Sequence, residues 1–140
     1  MLHSYAFSNF QSFRDRVEVD LTLNRKVGFT DWMADAPTGE RISKLMAVIG
    51  PNGSGKTALL KPLVFLGWFT GQSFQQAPDA QIPVTPHAAA ADQPTEFECT
   101  LDFDGKLWRY TLSCTPQRVL HEALYLKRER FGYVFVREWD

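Results

Sequence analysis

The glycine-rich segment Gly50-Pro51-Asn52-Gly53-Ser54-Gly55-Lys56-Thr57 constrains this 140-residue chain more than any other part of its sequence. It fits the pattern G-x4-G-K-[ST], in which a strand leads into a glycine-rich loop and a helix follows the loop. Gly53 and Gly55 allow backbone conformations that other residues avoid, so successive N–H groups can turn inward and form a cradle for an anion. The sequence therefore predicts a phosphate-binding loop, or P-loop, within a strand–loop–helix unit.

The residue types of the loop predict which groups contact a nucleoside triphosphate. Lys56 is expected to bridge the β and γ phosphates, and the Thr57 hydroxyl to ligate Mg²⁺. The start of the following helix adds unpaired N–H groups and the positive end of the helix dipole. Ala58 departs from the hydroxyl residue often found at this position, which removes one contact to the α phosphate. We therefore expect a site for ATP and Mg²⁺ formed by Gly50, Asn52, Gly53, Ser54, Gly55, Lys56, Thr57 and Ala58, with Thr57 as the metal ligand.

Apolar periodicity predicts the elements on either side of the P-loop. Residues 4–10 and 17–23 alternate large apolar residues with small or polar ones, which indicates a β-hairpin at the start of the chain. Residues 24–43 show no sustained period and are interpreted as a connecting loop. The apolar run 44–49 predicts a central strand buried on both faces. A helix is expected from about residue 55 to residue 69, with a kink or an early end at Pro62, because proline lacks an N–H group.

Residues 71–95 contain four prolines, six alanines and five glutamines but only two charged residues. This composition is poor in core-forming residues and predicts a flexible loop, which either coats the domain or binds a partner.

After this loop, Asp104-Gly105 predicts a two-residue hairpin turn that pairs Phe103 with Lys106 and Phe97 with Leu112. One face of the hairpin is then almost wholly apolar, and the other face suits exposure to water or to a polar partner. A second hairpin is expected from strands at 120–126 and 133–138.

Composition and charge exclude several classes of protein. The formal net charge of -1 provides no basic field of the kind that drives non-specific nucleic-acid binding, so a nucleic-acid contact would have to be local. The longest apolar run, residues 63–69, is too short to span a bilayer, and the first residues do not form a secretory signal. We expect a cytoplasmic location and no membrane partner. Cys99 and Cys114 are too few for a disulfide framework, and the hairpin register keeps them too far apart for a bond.

The P-loop follows 49 residues, whereas in small GTPases and nucleotide kinases it follows the first strand. Those residues include Asn9-Phe10-Gln11-Ser12-Phe13-Arg14, and this opening together with the P-loop resembles the SMC, RecF and OLD group of ABC-type ATPases. The segments 82–86, 94–98, 108–110 and 119–125 are similar to one bacterial branch of that group, the AAA-labelled ATPases of abortive infection and phage defence. Gln11 replaces a basic residue that is usual in the family. Arg14 is the candidate substitute for the phosphate or base contact of that basic residue.

The resemblance implies an α/β P-loop NTPase fold, the N-terminal lobe of an ABC-type ATPase head, with antiparallel β-hairpins around the P-loop strand and helix. Residues 1–140 would form this single lobe, which we expect to be incomplete. Family members hydrolyse ATP between two heads. The resemblance thus also implies a homodimer or a second ATPase head, and an effector protein or DNA coupled to it.

Several parts of an ATPase are missing from the sequence. It has no run of four apolar residues ending in Asp-Glu (Walker B), no Ser-Gly-Gly signature motif and no Asn-Lys-x-Asp motif for guanine. We expect ATP hydrolysis in the complete protein and none by this chain alone. Gln72, Gln75, Gln76 and Gln81 are the open candidates for a glutamine that senses Mg²⁺. The alternative function is a non-catalytic nucleotide-binding or interaction module that docks a partner through the apolar hairpin face and the loop 71–95.

Overall fold

Two antiparallel sheets and one α-helix form the part of the chain that the computed structural model describes, residues 1–26, 28 and 30–139. Val27 and Phe29 of the predicted loop 24–43, and the final residue Asp140, lie outside the described residues. The strands are β1 (Leu2–Ser8), β2 (Val17–Asp20), β3 (Thr22–Leu23), β4 (Met33–Asp35), β5 (Arg41–Ser43), β6 (Thr95–Phe103), β7 (Lys106–Cys114), β8 (Val119–Lys127) and β9 (Phe131–Glu138), and helix α1 spans Lys56–Gln72. The larger sheet has the order β2-β1-β6-β7-β8-β9, and the smaller one β3-β5-β4.

The predicted opening hairpin is confirmed. β1 and β2 are antiparallel, and Tyr5 pairs with Val19 and Phe7 with Val17. The other edge of β1 pairs with β6, so that Phe7 lies opposite Phe97. The alternation along β1 directs Tyr5 and Phe7 to the face that carries α1, where both side chains are fully buried.

The hairpin predicted from Asp104-Gly105 is confirmed in its register. β6 and β7 pair Phe103 with Lys106 and Phe97 with Leu112, as the two-residue turn requires. The Phe97 ring stacks on the Phe65 ring of α1 at a centroid distance of 4.8 Å. This part of the apolar face is therefore core, with Phe97 2% and Leu112 1% exposed. The docking face of the alternative function therefore does not include these two positions.

The opposite face of this hairpin is less exposed than its polar sequence predicts. Thr100 and Asp102 are only 8% and 9% exposed. His3 Nε2 donates to Asp102 Oδ2 at 2.9 Å, and the amino-terminal ammonium of Met1 lies 3.3 Å from the same oxygen. The start of β1 thus covers the end of β6 with positive or hydrogen-bonding groups, and a buried carboxylate is tolerated because it is paired.

The prediction of one connecting loop over 24–43 is wrong for β4 and β5. These strands have three residues each, too short for a period-two pattern to be visible. Ile42 of β5 is buried and forms the apolar centre of the smaller sheet. Leu21 links the two sheets, since its N–H donates to His3 O and its carbonyl accepts from Ser43 N–H, both at 2.8 Å.

The prediction of a buried central strand over 44–49 is also wrong. Residues 44–50 belong to neither sheet, and Leu45, Met46 and Ile49 are exposed, Ile49 by 93%. A strand buried on both faces needs neighbouring strands for its backbone and layers above and below it. Among the residues that the structure describes, no strand pairs with this segment and no layer covers both of its faces. Its apolar sequence is therefore not matched by burial.

Helix α1 agrees with the prediction at its start and runs further at its end. It begins at Lys56 and continues to Gln72, so an early end at Pro62 is wrong. The ring of Pro62 is fully buried against the sheet together with Ala58, Phe65, Leu66 and Phe69. Burial of this face offsets the loss of the backbone hydrogen bond that proline cannot donate. That loss alone would cost roughly 3 kcal/mol.

The segment 71–95 packs more closely than its composition indicates. It contains two short 3-10 helices, Ser73–Gln75 and Ala88–Ala90, and it buries Val84 and Ala90. Its backbone is also bonded to distant parts of the chain, since Gln11 N–H donates to Thr85 O at 2.9 Å.

The second predicted hairpin is confirmed as β8 and β9, which pair Leu124 with Phe135.

Burial raises the pKa of Cys99 to about 11 and that of Cys114 to about 12, and both thiols are free. Among the described residues there is no helix with the length and apolar character that a membrane crossing requires.

Asp102→Asn is predicted to lower the free energy of unfolding at pH 7 by about 1–3 kcal/mol, because a buried charge-assisted hydrogen bond is lost. Burial alone would raise the pKa of Asp102, but the hydrogen bonds from His3 and the amino terminus outweigh it and hold this pKa below the usual value of 3.8. The stabilisation is therefore complete above about pH 4 and is lost as the pH falls through the folded-state pKa. Urea denaturation from pH 2 to pH 7 measures it.

The matched control is Asp104→Asn, the same change at an exposed turn residue whose positive φ also suits asparagine. It should leave stability unchanged within about 0.5 kcal/mol at every pH. Equal losses in the two variants, or a loss for Asp102→Asn that does not shrink toward pH 2, would contradict the prediction.

Candidate phosphate-binding site

The glycine-rich loop, the start of α1 and the turn after β1 surround an open, polar cavity of about 410 Å³. Of the predicted site residues, Gly50 alone does not line it. The lining residues are Gln11, Ser12, Asn52, Gly53, Ser54, Gly55, Lys56, Thr57, Ala58 and Lys61. A Cβ atom at Gly50 would come within 2.7 Å of Ser54 Oγ.

The loop depends on two glycines with left-handed backbone conformations. Gly53 has a φ of 79° and Gly55 a φ of 87°, a region that residues with a Cβ atom rarely adopt. Gly55 is the residue before the first turn of α1, and no side chain caps that turn. The first N–H groups of an α-helix have no partner within the helix. They are therefore free to bind an anion in the cavity.

Gly55 also allows a close contact between the loop and the turn after β1. A Cβ atom at Gly55 would lie 3.2 Å from the Phe13 ring. Phe13 in turn packs against Phe7 of β1, with ring centroids 5.3 Å apart. The position of the loop is thus set by the aromatic core of the larger sheet as well as by α1.

Lys56 bonds to its own loop. Its Nζ donates to the carbonyl oxygens of Gly50 at 2.8 Å and Pro51 at 2.7 Å. These carbonyls carry no net charge, so the ammonium remains an uncompensated cation at the edge of the cavity. Lys61 adds a second positive charge, and no Asp or Glu is found among the lining residues that the structure describes. The cavity is therefore electropositive and suits an anion.

Three lining residues, Gln11, Ser12 and Lys61, were not among the predicted site residues. Gln11 and Ser12 form the tip of a turn closed by two bonds between Phe10 and Phe13, at 2.8 and 2.9 Å. Lys61 lies one helical turn after Thr57 and Ala58, and this spacing could have identified it from the sequence. Arg14, the candidate substitute for Gln11, is not among the described lining residues.

The candidates for a Mg²⁺-sensing glutamine lie elsewhere. Gln72 is the last residue of α1, 17 residues long, so it is roughly 24 Å from Lys56. Gln75, Gln76 and Gln81 follow it along the chain, and none of the four lines the phosphate cavity. The glutamine that the structure does bring to the cavity is Gln11.

A comparison with family models supplies the relationship that this geometry alone does not. The model described as "AAA domain, putative AbiEii toxin, Type IV TA system" matches residues 45–138, well over half of the chain. The chain belongs to this family. The match includes the glycine-rich loop, α1 and both later hairpins of this AAA domain, and it does not include β1 or the turn at Gln11. A comparison with curated proteins finds no match.

Family membership makes the chain an AAA-type, ATPase-like domain, a class that generally uses ATP with Mg²⁺. At this coarse level it agrees with the sequence-based expectation of an AAA-type ATPase. The mixed architecture of antiparallel sheets and one helix agrees with an α/β assignment in the same coarse sense.

Gly55→Ala is predicted to destabilise the domain more than Gly53→Ala. Both changes force an alanine into a left-handed conformation, which costs about 1–2 kcal/mol. At Gly55 the new methyl also meets the Phe13 ring at 3.2 Å, whereas nothing lies within 4 Å of a Cβ atom at Gly53. Urea denaturation of the two variants beside the wild type measures the difference, and equal losses would mean that Phe13 moves away without resistance.

Proposed function

We propose that this AAA domain binds Mg-ATP through the loop Gly50–Thr57 and is the ATP-binding lobe of an ABC-type ATPase related to the SMC, RecF and OLD group. The observation that carries the proposal is the uncapped start of α1, which opens into a cavity with two lysines and no described carboxylate. Such a cavity favours a multiply charged anion, and the loop sequence matches a Walker A motif.

The residues present fit a nucleoside triphosphate. The phosphate oxygens would accept hydrogen bonds from the loop N–H groups and from the first turn of α1. The Lys56 ammonium would exchange its two neutral carbonyl partners for the β and γ phosphates, a change that strengthens each hydrogen bond because the new acceptors are charged. Thr57 would ligate the Mg²⁺, which when bound offsets the phosphate charge.

The finer architecture belongs to the same proposal. In an ABC-type head the segment before the P-loop is the centre of a sheet, and the apolar residues Leu45, Met46 and Ile49 have the composition for such a position. Their exposure supports a further part that covers them, either a second head of the same kind or another segment. Coupling of ATP to an effector or to DNA in phage defence, in the cytoplasm, is part of this proposal too.

Lys56→Ala is predicted to weaken Mg-ATP binding about 10- to 100-fold, because hydrogen bonds to charged groups contribute about 1.5–3 kcal/mol. Isothermal titration of the wild type and the variant with Mg-ATP and Mg-GTP measures it. The matched control is Lys106→Ala, at an exposed lysine that begins β7, which should bind as the wild type does. Tight binding of Mg-GTP with no binding of Mg-ATP would contradict the proposal, and so would equal affinities of the wild type and Lys56→Ala.

The isolated chain is predicted to bind Mg-ATP without turnover above that of Lys56→Ala. In the ABC-type ATPases that the chain resembles, a carboxylate polarises the water that attacks the γ phosphate, and no described Asp or Glu lines the cavity. Phosphate release under single-turnover conditions measures it. The same feature favours the second candidate, a non-catalytic nucleotide-binding module. A rate clearly above the variant would exclude that candidate and would show that the chain itself supplies the missing group.

A further inference from the structure

We propose that Asn9 is a positioning residue that ties the phosphate cavity to the segment 83–94, so that nucleotide binding and the packing of that segment are coupled. The inference rests on the proposed function, because the ligand it invokes is the Mg-ATP of that cavity. It adds a residue outside the P-loop and a segment that would respond to the nucleotide.

The Asn9 side chain is 5% exposed, and all of its hydrogen-bonding groups are used. Its Nδ2 lies within hydrogen-bond distance of three carbonyl oxygens, those of Ala90 at 2.9 Å, Gln93 at 2.8 Å and Pro94 at 3.2 Å, so that two of them share one of its two hydrogens. Its Oδ1 accepts from His87 N–H at 3.0 Å. One amide therefore holds the segment at four points between residues 87 and 94.

The Asn9 backbone holds the other side of this junction. Its N–H donates to Arg14 O at 3.0 Å, which closes the turn that carries Gln11 and Ser12. Its carbonyl accepts from Thr95 Oγ1 at 2.7 Å, next to the end of the same segment. The tip of the turn is bonded to the segment as well, through Gln11 N–H and Thr85 O at 2.9 Å. The turn that lines the phosphate cavity and the segment 83–94 are thus one hydrogen-bonded unit.

Few apolar contacts could replace these bonds. Val84 and Ala90 are the described residues of the segment that are buried hydrophobics, and the rest is mostly small or polar. The bond to Ala90 O is buried, and those to Gln93 O, Pro94 O and His87 N–H are partly buried. A polar group shielded from water is costly without a partner, so removing the amide would loosen the segment. The turn would then lose its support at Gln11.

The coupling follows from this shared support. A nucleotide that contacts Gln11 or Ser12 stabilises the turn. Because the turn is hydrogen-bonded to the segment, the nucleotide also stabilises the segment. By thermodynamic linkage, releasing the segment must lower the affinity for the nucleotide by the same factor. The stability of the segment 83–94 then depends on whether a nucleotide is bound in the cavity.

The first test is hydrogen exchange of residues 83–94 with and without Mg-ATP, together with titration of Asn9→Gly. Glycine keeps the left-handed conformation of Asn9, whose φ is 51°, and removes only the amide. We expect Mg-ATP to slow exchange in the wild-type segment, and Asn9→Gly to bind Mg-ATP about tenfold more weakly and to lose this protection. Ile42→Ala is the stability control, because it opens a cavity in the smaller sheet, and it should retain both responses.

A milder pair of variants keeps the test decisive if Asn9→Gly does not fold. His87→Pro removes the N–H that donates to Asn9 Oδ1, and the φ of -64° at His87 is one that proline adopts. His87→Ala removes the side chain and keeps that N–H. We expect His87→Pro to weaken Mg-ATP binding about three- to tenfold and His87→Ala to bind as the wild type does.

Unchanged affinity and unchanged exchange protection in the Asn9 and His87→Pro variants would overturn the inference while leaving the proposed function intact. A wild type that does not bind Mg-ATP would overturn both. Equal weakening in His87→Pro and His87→Ala would also overturn the inference, because the effect would then come from the imidazole and not from the bond to Asn9.

Discussion

The packing of α1 across the larger sheet is the interaction on which the rest of the structure depends. Phe65 of the helix stacks on Phe97 of β6, and the Tyr5 hydroxyl of β1 donates to Leu59 O at 2.9 Å. Each large apolar side chain buried here contributes about 1.5–3 kcal/mol, far more than the helix gains from its own sequence, with a proline and two glycines inside it. This packing fixes the direction in which the first turn of α1 points, and hence where an anion can bind.

The phosphate site combines two elements that approach it from different sides of the fold. The glycine-rich loop precedes α1, and the turn with Gln11 and Ser12 follows β1. The two meet where Phe13 lies against Gly55. Neither element alone encloses the cavity. Its positive character comes from α1 alone, through Lys56, Lys61 and the free N–H groups of the first helical turn, whereas its shape requires both elements.

The features that could be predicted from the sequence are those set by neighbouring residues. Asp104-Gly105 fixed a whole register because a two-residue turn leaves one way to pair its strands, and the left-handed glycines of the loop followed from its motif. Features that depend on distant residues could not be predicted. The apolar run 44–49 indicated burial, but apolar character does not reveal whether another strand lies beside it. Asp102 looked exposed because its partner, His3, lies 99 positions earlier in the chain.

The same distinction explains the candidate site. Lys56 and Thr57 are recognisable from spacing alone, and Lys61 could have been found by counting one helical turn. Gln11 reaches the cavity on the turn after β1, which the bond from Asn9 N–H to Arg14 O closes. Its presence there requires the tertiary structure.

The exposed segment before the glycine-rich loop affects how strongly the site can hold a ligand. The loop is fixed at its far end by α1, whereas residues 45–49 enter it without ladder hydrogen bonds to any strand described. Ordering a free backbone costs about 1–2 kcal/mol of entropy per residue, and a ligand that requires an ordered loop must offset that loss from its own contacts. A strand that paired with residues 45–49 would remove this loss in advance. It would thereby tighten phosphate binding without touching the phosphate, so affinity at the cavity would depend on what lies beside the segment that precedes it.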